Sequence, residues 1–567
     1  MQSQTESSSG IAAVTAPAVD RWRPSETHDM IVSLFNDVIG PVMRGPSSSH
    51  GAAALRIGRL ARDLMGGTLD EVLIEFDANG SLPTTHESQG SDMGLAGGLM
   101  GWEADDERLP MAMQVLRESG VRVRIETVDA GDPHPNTYRL TLRNRRSQHS
   151  LIALSTGGGM MEVIAVDGFK VSMFGDCCET LLWVRREGHR LAQALATLAP
   201  ADAVLVHEAG DPMMVEVKAP QFVSDQIIAA LDGAFDIAAV DRLSPVLPVL
   251  SRHDTRVPFR TCAAMLRHDA GQNAPLWKLA LDYETARGSL SEAEVLARML
   301  KIVRLLRRSI ARGIAGTTYD DRVLGHQSGR FSAMMQAGRL LDGGALSRII
   351  LYITALMEVK SSMGIIVAAP TAGACAALPG AVIAMAEAMG LGEEAMAKAM
   401  LAGGIIGVLI ATHSSFAAEV GGCQAEAGSA ACMAAAALAG MAGGTLAQSV
   451  AAASMALQSM LGLICDPVAN RVEAPCLGKN VMAASNALAC ANMALAGYDP
   501  VVPLDEVIEA AKRVAGQMPR ELRCTALGGL SITPTSKAIE QRLAARKPAA
   551  CADCTCRQPA IQSHHET

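Results

Sequence analysis

Residues 427–464 read AGSAACMAAAALAGMAGGTLAQSVAAASMALQSMLGLI and contain no Asp, Glu, Lys or Arg. A run of that length could cross a bilayer. Its content argues against a membrane span, because it is mostly Ala, Gly, Ser and Met, holds Gln448 and Gln458, and has no flanking basic cluster. The stretch therefore predicts buried helices in a protein that stays out of the membrane.

The composition of the whole chain sets further limits. Its 567 residues are too many for one hydrophobic core, so about two to four domains are expected. Apolar residues make up 49% and aromatic residues only 3%, which predicts interiors built on small side chains with Met filling the gaps. The net charge of −9 argues against nucleic acid as a partner.

The role of the 13 cysteines depends on whether the protein is exported or stays in the reducing cytoplasm. Residues 1–25 lack a basic start followed by an apolar run, so they do not predict a signal peptide, and residues 1–27 are interpreted as a disordered leader. A chain that stays in the cytoplasm keeps its thiols reduced. Packing inside the core is then the default role of each cysteine, and metal ligation is the alternative.

Alternating strand and helix signals over residues 28–176 predict an α+β N-terminal domain. VLIEFDANG (72–80) and VRVRIETVD (121–129) are typical of strands, and AALRIGRLARDLM (53–65) has apolar residues at helical spacing.

Residues 177–250 predict a small ferredoxin-like domain, because strand and helix signals follow one another in the order βαββαβ. Amino-acid-sensing modules of the ACT type share this order, so an effector site is one alternative. The loop after the first strand lacks the Asp-x-Pro-Gly that such modules often carry, and we favour a structural role.

A linker at 251–257 separates this unit from residues 258–545, which predict a large all-α C-terminal domain with glycine turns. The fold class expected is thus multi-domain, with α+β, ferredoxin-like (ACT-like) and all-α parts. Residues 546–567 form a polar tail, interpreted as flexible, that carries Cys551, Cys554 and Cys556.

The segment GPSSSHGAAALRIGRL (45–60) places Ser47, Ser48, Ser49 and His50 before an amphipathic helix. Free N–H groups and the positive end of a helix suit an anion such as a carboxylate. The alternative is that one serine simply caps the helix.

Two further candidates stand in loops. APTAGACAALPG (369–380) leads from an apolar run into Thr371, Ala372 and Gly373, which either face a substrate or only start a helix. His134 in GDPHPNTYRL is either a structural histidine or a group for proton transfer.

Three cysteines stand in short Gly- or Pro-containing segments: Cys423 in EVGGCQAEAG, Cys465 in LICDPVAN and Cys476 in VEAPCLGKN. Proline-bordered loops hold ligands rigidly. The spacing contains no Cys-x-x-Cys, so by itself it leaves metal ligation and plain burial both open.

Taken together, these segments resemble the iron–sulfur-dependent L-serine dehydratases (L-serine ammonia-lyases). Residues 28–250 resemble the β subunit of the two-chain enzymes, and residues 258–530 resemble the α subunit. The matching stretches are IGPVMRGPSSSHGAAALRIG, His134-Pro135-Asn136-Thr137, TGGGMMEV, MEVKSSMGIIVAAPTAGACAALPG, AEVGGCQAEAGSAACMAAAA and CDPVANRVEAPC.

The resemblance implies a [4Fe–4S] cluster held by Cys423, Cys465 and Cys476, with one iron left open for an amino-acid substrate. It implies a cytoplasmic enzyme that dehydrates L-serine to pyruvate and ammonia, and we expect a homodimer with neither a nucleic-acid nor a membrane partner. The remaining central cysteines are then packing residues: Cys177, Cys178, Cys262, Cys375, Cys432 and Cys490.

The chain departs from the family pattern near the expected pocket. The differences are Gly51 for Thr, Ser88-Gln89-Gly90-Ser91-Asp92 for Gly-His-Gly-Thr-Asp, Lys360 for Asn, an extra Gly422, and Gly478-Lys479-Asn480 for Glu-Arg-Asn. Some family members end in a cysteine that caps the open iron. Here that role could belong to Cys524, to Cys551, Cys554 or Cys556 in the tail, or to none of them.

In the mechanism that the resemblance implies, the open iron acts as a Lewis acid for the β-hydroxyl and a base removes the α-proton. His50 and His134 are the candidates for the base or an orienting group, while the serine loop and the Thr371 turn hold the substrate's charged groups. A lyase for L-threonine, L-cysteine or another β-substituted amino acid is the first alternative. A non-enzymatic iron–sulfur sensor is the second.

Overall fold

The computed structural model describes residues 31–208, 211–252, 255–288 and 290–545. The predicted leader (1–27) and tail (546–567, with Cys551, Cys554 and Cys556) lie outside the described residues.

The N-terminal part is a mixed α/β unit, as predicted. Its strands are β1 (Val42–Met43), β2 (Glu71–Asp77), β3 (Arg122–Val128), β4 (Thr137–Arg143), β5 (Gln148–Gly157), β6 (Met160–Val166) and β7 (Phe169–Met173). Its helices are α1 (Ala53–Leu64), α2 (Leu82–Gln89), α3 (Ser91–Leu99) and α4 (Ala112–Glu118). Strands β2–β7 form one sheet in the order β3-β2-β4-β5-β6-β7, in which only the β2–β3 pair is parallel.

Helices α1 and α3 cross at glycines, which brings their backbones together. A Cβ at Gly98 would overlap the carbonyl oxygen of Leu55, and a Cβ at Gly94 would overlap that of Gly51. Only glycine fits this crossing, and the crossing fixes the chain just before α1, where the serine loop lies.

Residues 178–243 form a second sheet with two helices. The elements are β8 (Cys178–Val184), α5 (Gly188–Leu198), β9 (Ala203–His207), β10 (Met213–Ala219), α6 (Asp225–Phe235) and β11 (Ile237–Leu243). The strands pair antiparallel in the order β11-β8-β10-β9. One face packs on α5 and α6 through Val184, Leu195 and Val215. The other face meets the first sheet, where Trp183 stacks edge-on against Phe169 at 5.7 Å.

The remainder is helical, with a single two-residue strand among the described residues. The elements are α7 (Cys262–Asp269), α8 (Leu276–Gly288), α9 (Glu292–Ala315), α10 (Ser328–Gln336), α11 (Ala345–Ser361), β12 (Ile366–Val367), α12 (Ala377–Ala388), α13 (Glu393–His413), α14 (Ala418–Gly421), α15 (Ser429–Met441), α16 (Leu446–Gln458), α17 (Cys476–Leu495), α18 (Leu504–Gln517) and α19 (Pro534–Ala544).

The charge-free stretch forms α15 and α16, both buried in the core, as predicted. One described helix, α13, is long and apolar enough to cross a membrane, but 78% of its most apolar window is buried inside the protein. Helix α13 packs against α8 and α15 within this core.

The first described segment joins the N-terminal and helical parts. Residues Leu34–Val38 form a π-helical turn whose Leu34 and Val38 are buried in the helical core, and strand β1 pairs antiparallel with β12. The serine loop follows β1 directly, so this docking carries it to the helical domain.

Candidate active site and metal centre

The three predicted cysteines lie at the edges of the core helices. Cys423 follows α14 after Gly422, whose φ of +69° and close neighbours, Met518 Sδ at 2.6 Å from a built Cβ and Leu463 O at 2.8 Å, admit only glycine. Cys465 donates its N–H to Leu522 O at 2.8 Å. Cys476 begins α17. Gly422, a departure from the family pattern, is therefore the residue that lets the chain turn at Cys423.

The structure brings two of these thiols, Cys423 and Cys465, together with the carboxyl of Glu426, and Cys476 is not part of that group. The ligand atoms of Cys423, Cys465 and Glu426 all lie within 4.8 Å of one another, and all three cysteines are at most 4% exposed. Cys524 packs in the same cluster as Cys423 and Cys465. The thiol of Cys476 lies close enough to Cys423 and Glu426 for their charges to affect its pKa.

The surroundings of Cys465 and Cys476 oppose the loss of their thiol protons. Hydrogen bonding with Cys423 and Cys524, together with burial, raises the pKa of Cys465 well above its usual value. Burial raises the pKa of Cys476. Sulfur donors gathered in this way suit an iron–sulfur cluster or another thiophilic metal, whose positive charge would favour the thiolate form. The residues present therefore fit the expected group.

Two lysines that depart from the family pattern flank the thiols. Lys479 Nζ lies 3.6 Å from Cys423 Sγ and donates to Asp466 Oδ1 at 2.8 Å. Lys360 is fully buried, donates to Val472 O, and acts on Cys476 electrostatically. Both place positive charge beside the cysteine thiols.

The serine loop is a π-helical turn, Ser48–Ala52, capped by Ser47. All three hydroxyls are engaged. Ser47 Oγ lies 3.0 Å from His50 Nδ1, Ser48 Oγ accepts from the N–H of Ala372 at 3.1 Å, and Ser49 Oγ donates to Glu419 Oε1 at 2.7 Å. The capping prediction holds for Ser47, and the other two serines connect the loop to the helical domain.

The Thr371 turn lies between the serine loop and the thiols. Thr371 Oγ1 donates to Glu426 Oε1 at 2.6 Å and accepts from the N–H of Ala374 at 3.1 Å. A Cβ at Gly373 would lie 2.6 Å from Glu426 Oε1, so glycine lets this carboxyl approach. Burial raises the pKa of Glu426 to about 7.

The two candidate histidines differ in their surroundings. His50 is fully buried between Ser47 and Thr85, whose Oγ1 lies 2.8 Å from its Nε2. His134 is half-buried, accepts the N–H of Asn136 at Nδ1 (3.2 Å), and lines a cavity of about 610 Å³. Burial lowers the pKa of both, which keeps the rings neutral near pH 7, and the charge of Glu419 opposes that shift.

Sequence reasoning missed three participants: Glu419, Glu426 and Thr85. The two glutamates stand four residues before and three residues after Cys423 in AEVGGCQAEAG, a helical spacing that could have marked them. Thr85 carried no signal of this kind. The other central cysteines, Cys177, Cys178, Cys262, Cys375, Cys432 and Cys490, are buried and free of disulfides.

Comparisons with known proteins bear on the same residues. The family model for the serine dehydratase alpha chain matches residues 271–531. The chain is 38% identical to a probable L-serine dehydratase alpha chain of Bacillus subtilis over 45% of this chain and 84% of that one. It is 31% identical to the probable beta chain of the same organism, over 37% of this chain and 98% of that one.

A further relative, whose name specifies neither chain, also matches. The L-serine dehydratase of Streptomyces coelicolor is 32% identical over 52% of this chain and 65% of its own length. Relatives of both chain types thus match within one polypeptide. This chain belongs to the L-serine dehydratase family, with alpha-type and beta-type parts fused.

Proposed function

We propose that this protein dehydrates and deaminates L-serine to pyruvate and ammonia with a [4Fe–4S] cluster held by Cys423, Cys465 and Cys476. The observation that carries the proposal is the continuity of the site. Buried thiols meet Glu426, Glu426 meets Thr371, and the Thr371 turn meets the serine loop and His50 through Ser48. When bound, the cluster supplies Lewis acidity toward the hydroxyl leaving group.

Hydrogen-bond directions assign the proton on His50. Thr85 Oγ1 donates its own proton to Ser81 O at 2.7 Å, so it accepts from His50 Nε2–H. Nδ1 is then the unprotonated nitrogen, within hydrogen-bond distance of the Ser47 and Ser49 hydroxyls and 3.4 Å from Glu419 Oε1. A buried neutral imidazole with this tautomer suits a general base, and we assign removal of the α-proton to Nδ1 of His50.

We propose a different role for His134. Its Nδ1 accepts the N–H of Asn136, so the proton of the neutral ring lies on Nε2. This makes His134 a hydrogen-bond donor toward the cavity rather than a base. The enamine released by loss of water then becomes an imine and is hydrolysed in solvent.

The substrate's carboxylate and amine are held, in this proposal, by Ser47, Ser48, Ser49, Thr371, Ala372 and Gly373. The support is the hydrogen bond between Ser48 and Ala372, which joins the serine loop to the Thr371 turn. The test of the function is anaerobic purification, iron and sulfide analysis, and a panel of L-serine, D-serine, L-threonine and L-cysteine scored for ammonia. If none of these four substrates releases ammonia, the proposal is contradicted.

A related lyase on another β-substituted amino acid is the second candidate, because departures from the family pattern border the thiols. Gln89 Nε2 lies 3.5 Å from Cys524 Sγ and 3.1 Å from Asn470 Oδ1. Preference for L-threonine or L-cysteine in the panel would favour it. A chain that binds the cluster and turns over nothing would be the sensor.

We propose that residues 177–250 form a ferredoxin-like domain with a structural role. The support is the strand order β11-β8-β10-β9 and the cover on both faces: helices on one, and the N-terminal sheet on the other, where Lys218 Nζ donates to Ser172 O at 2.8 Å. An ACT-type effector site is tested by calorimetric titration with amino acids on a variant that lacks the cluster.

We further propose a cytoplasmic homodimer. The support is exposed apolar side chains on and after α17, namely Met482, Met493, Tyr498 and Val501. Light scattering on the purified protein tests the oligomeric state, and a monomer at micromolar concentration contradicts it.

A further inference from the structure

Two buried polar atoms of the candidate site have no hydrogen-bond partner among the described residues. They are Oε2 of Glu419 and Nδ2 of Asn136. Glu419 is 5% exposed and Asn136 is fully buried. An unpaired buried amide or carboxylate oxygen is costly, and native proteins rarely leave one without a ligand or water.

Glu419 is underpaired for a carboxylate. Its Oε1 accepts from Ser49 Oγ at 2.7 Å and lies 3.4 Å from His50 Nδ1. Among the described residues, His50 is the one basic side chain within ion-pair distance of Glu419. Burial lowers the pKa of His50 and so keeps its ring neutral. The pocket therefore presents a negative charge that its own residues do not balance.

Asn136, in contrast, has a side-chain donor without an acceptor. Its Oδ1 accepts from Ser81 Oγ, and its own N–H donates to His134 Nδ1, while the side-chain NH₂ group still lacks an acceptor. Fixed by those two bonds, it offers a positioned donor in a place closed to bulk water.

The two atoms belong to one short network. Ser155 connects them, because its N–H donates to Asn136 O at 3.0 Å and its Oγ donates to Ser49 O at 2.7 Å. Ser49 is also the residue whose hydroxyl donates to Glu419.

Asn136 is linked to His50 through Ser81, whose Oγ donates to Asn136 Oδ1, and Thr85, whose Oγ1 donates to Ser81 O and lies 2.8 Å from His50 Nε2. The unpaired acceptor of Glu419 and the unpaired donor of Asn136 therefore belong to the hydrogen-bond network around His50.

We propose that Glu419 and Asn136 recognise the two charged ends of an α-amino acid. Oε2 of Glu419 accepts hydrogen bonds from the α-ammonium group, and Nδ2 of Asn136 donates to the α-carboxylate, beside the serine loop. This inference rests on the proposed function and adds to it the residues that select an amino acid over a hydroxy acid. An ammonium group supplies both the charge and the donors that Glu419 lacks, and a hydroxyl supplies no charge.

The experiment separates the two ends of the substrate with two fragments. Anaerobic holoenzyme is assayed with L-serine, and inhibition constants are measured for 3-hydroxypropanoate, which lacks the amine, and 2-aminoethanol, which lacks the carboxylate. Glu419→Gln should raise both the inhibition constant of 2-aminoethanol and the KM for L-serine by about tenfold or more. The inhibition constant of 3-hydroxypropanoate should not change. Asn136→Ala should show the reverse pattern for the two fragments.

Melting temperature and iron content are measured for each variant, and Glu284→Gln serves as the matched control. Glu284 is buried, and its carboxylate accepts hydrogen bonds from Ser33 Oγ and Leu34 N. Its substitution should therefore leave the KM for L-serine and the two inhibition constants unaltered. Glu419→Asp provides a second variant that keeps the charge; it should retain binding of 2-aminoethanol better than the amide does.

Each contrary outcome has its own meaning. If Glu419→Gln leaves the fragment constants unchanged, water fills the Oε2 position and the inference is overturned. If it lowers kcat alone, Glu419 acts on the chemistry, and the inference is again overturned. If wild-type protein converts no amino acid, the proposed function fails first, whatever the variants do.

Discussion

The main-chain N–H of Cys524 donates a hydrogen bond to the carbonyl oxygen of Cys465 at 3.1 Å. This contact, with a φ of +54° at Cys524, places a fourth thiol beside Cys465 and Cys423. Of the cysteines considered as a cap for the proposed cluster, Cys524 lies beside Cys423 and Cys465, while the tail cysteines lie outside the described residues.

We expect Cys524→Ala to leave cluster assembly intact, because Cys423, Cys465 and Cys476 remain, and to speed the loss of iron in air, because a shielding thiol is gone. Iron content after timed exposure to air measures this. A decay curve that coincides with that of the wild type would show that Cys524 only packs.

Changing Cys423, Cys465 or Cys476 to Ser should each remove most of the cluster and all activity, where wild-type protein holds about four irons per chain. Cys432→Ser is the control, since Cys432 is buried within α15. Iron, sulfide and visible absorption are the measurements. Equal loss in the control would mean that the ligands are assigned to the wrong cysteines.

Activity should decay in air and return with ferrous iron and a thiol, because a substrate-accessible iron is the one most easily lost. The rate of ammonia release before and after reconstitution checks this. An enzyme that is indifferent to air, and that pyridoxal phosphate activates, would contradict the mechanism.

Single Ala substitutions should separate the three serines. Ser47→Ala removes the cap that accepts from His50 N at 3.4 Å and should cost about 1 kcal/mol of stability as well as activity. Ser48→Ala removes the acceptor of the Ala372 N–H and Ser49→Ala frees Glu419, so both should lower kcat/KM with a smaller change in melting temperature. If all three lose only stability, the loop is scaffolding.

The crossing of α1 and α3 should be intolerant of a single methyl group. Gly94→Ala would drive a Cβ into the carbonyl oxygen of Gly51 and should destabilise the protein by about 3 kcal/mol. Gly233→Ala is the control, since a Cβ in that helix meets nothing within 4 Å and should be neutral or stabilising by up to about 1 kcal/mol. Denaturant midpoints that fall together for both variants would contradict this account.

Local patterns in the sequence were sufficient to predict several helices and strands. The strand-like segment VLIEFDANG predicted β2, helical spacing predicted α1, and the charge-free stretch predicted the buried pair α15 and α16. These features depend on the period of the side chains and on turn residues, which neighbouring positions alone determine. The family motifs likewise pointed to the three cysteines and the two loops.

The tertiary structure alone decided what those motifs meet. Ser49 and Glu419 are 370 residues apart, and nothing in either segment indicates the other until β1 pairs with β12 and docks the serine loop on the helical core. The same holds for Cys524 beside Cys465. Contacts between distant segments depend on packing geometry, in which glycine crossings and buried helices set distances that no local period encodes.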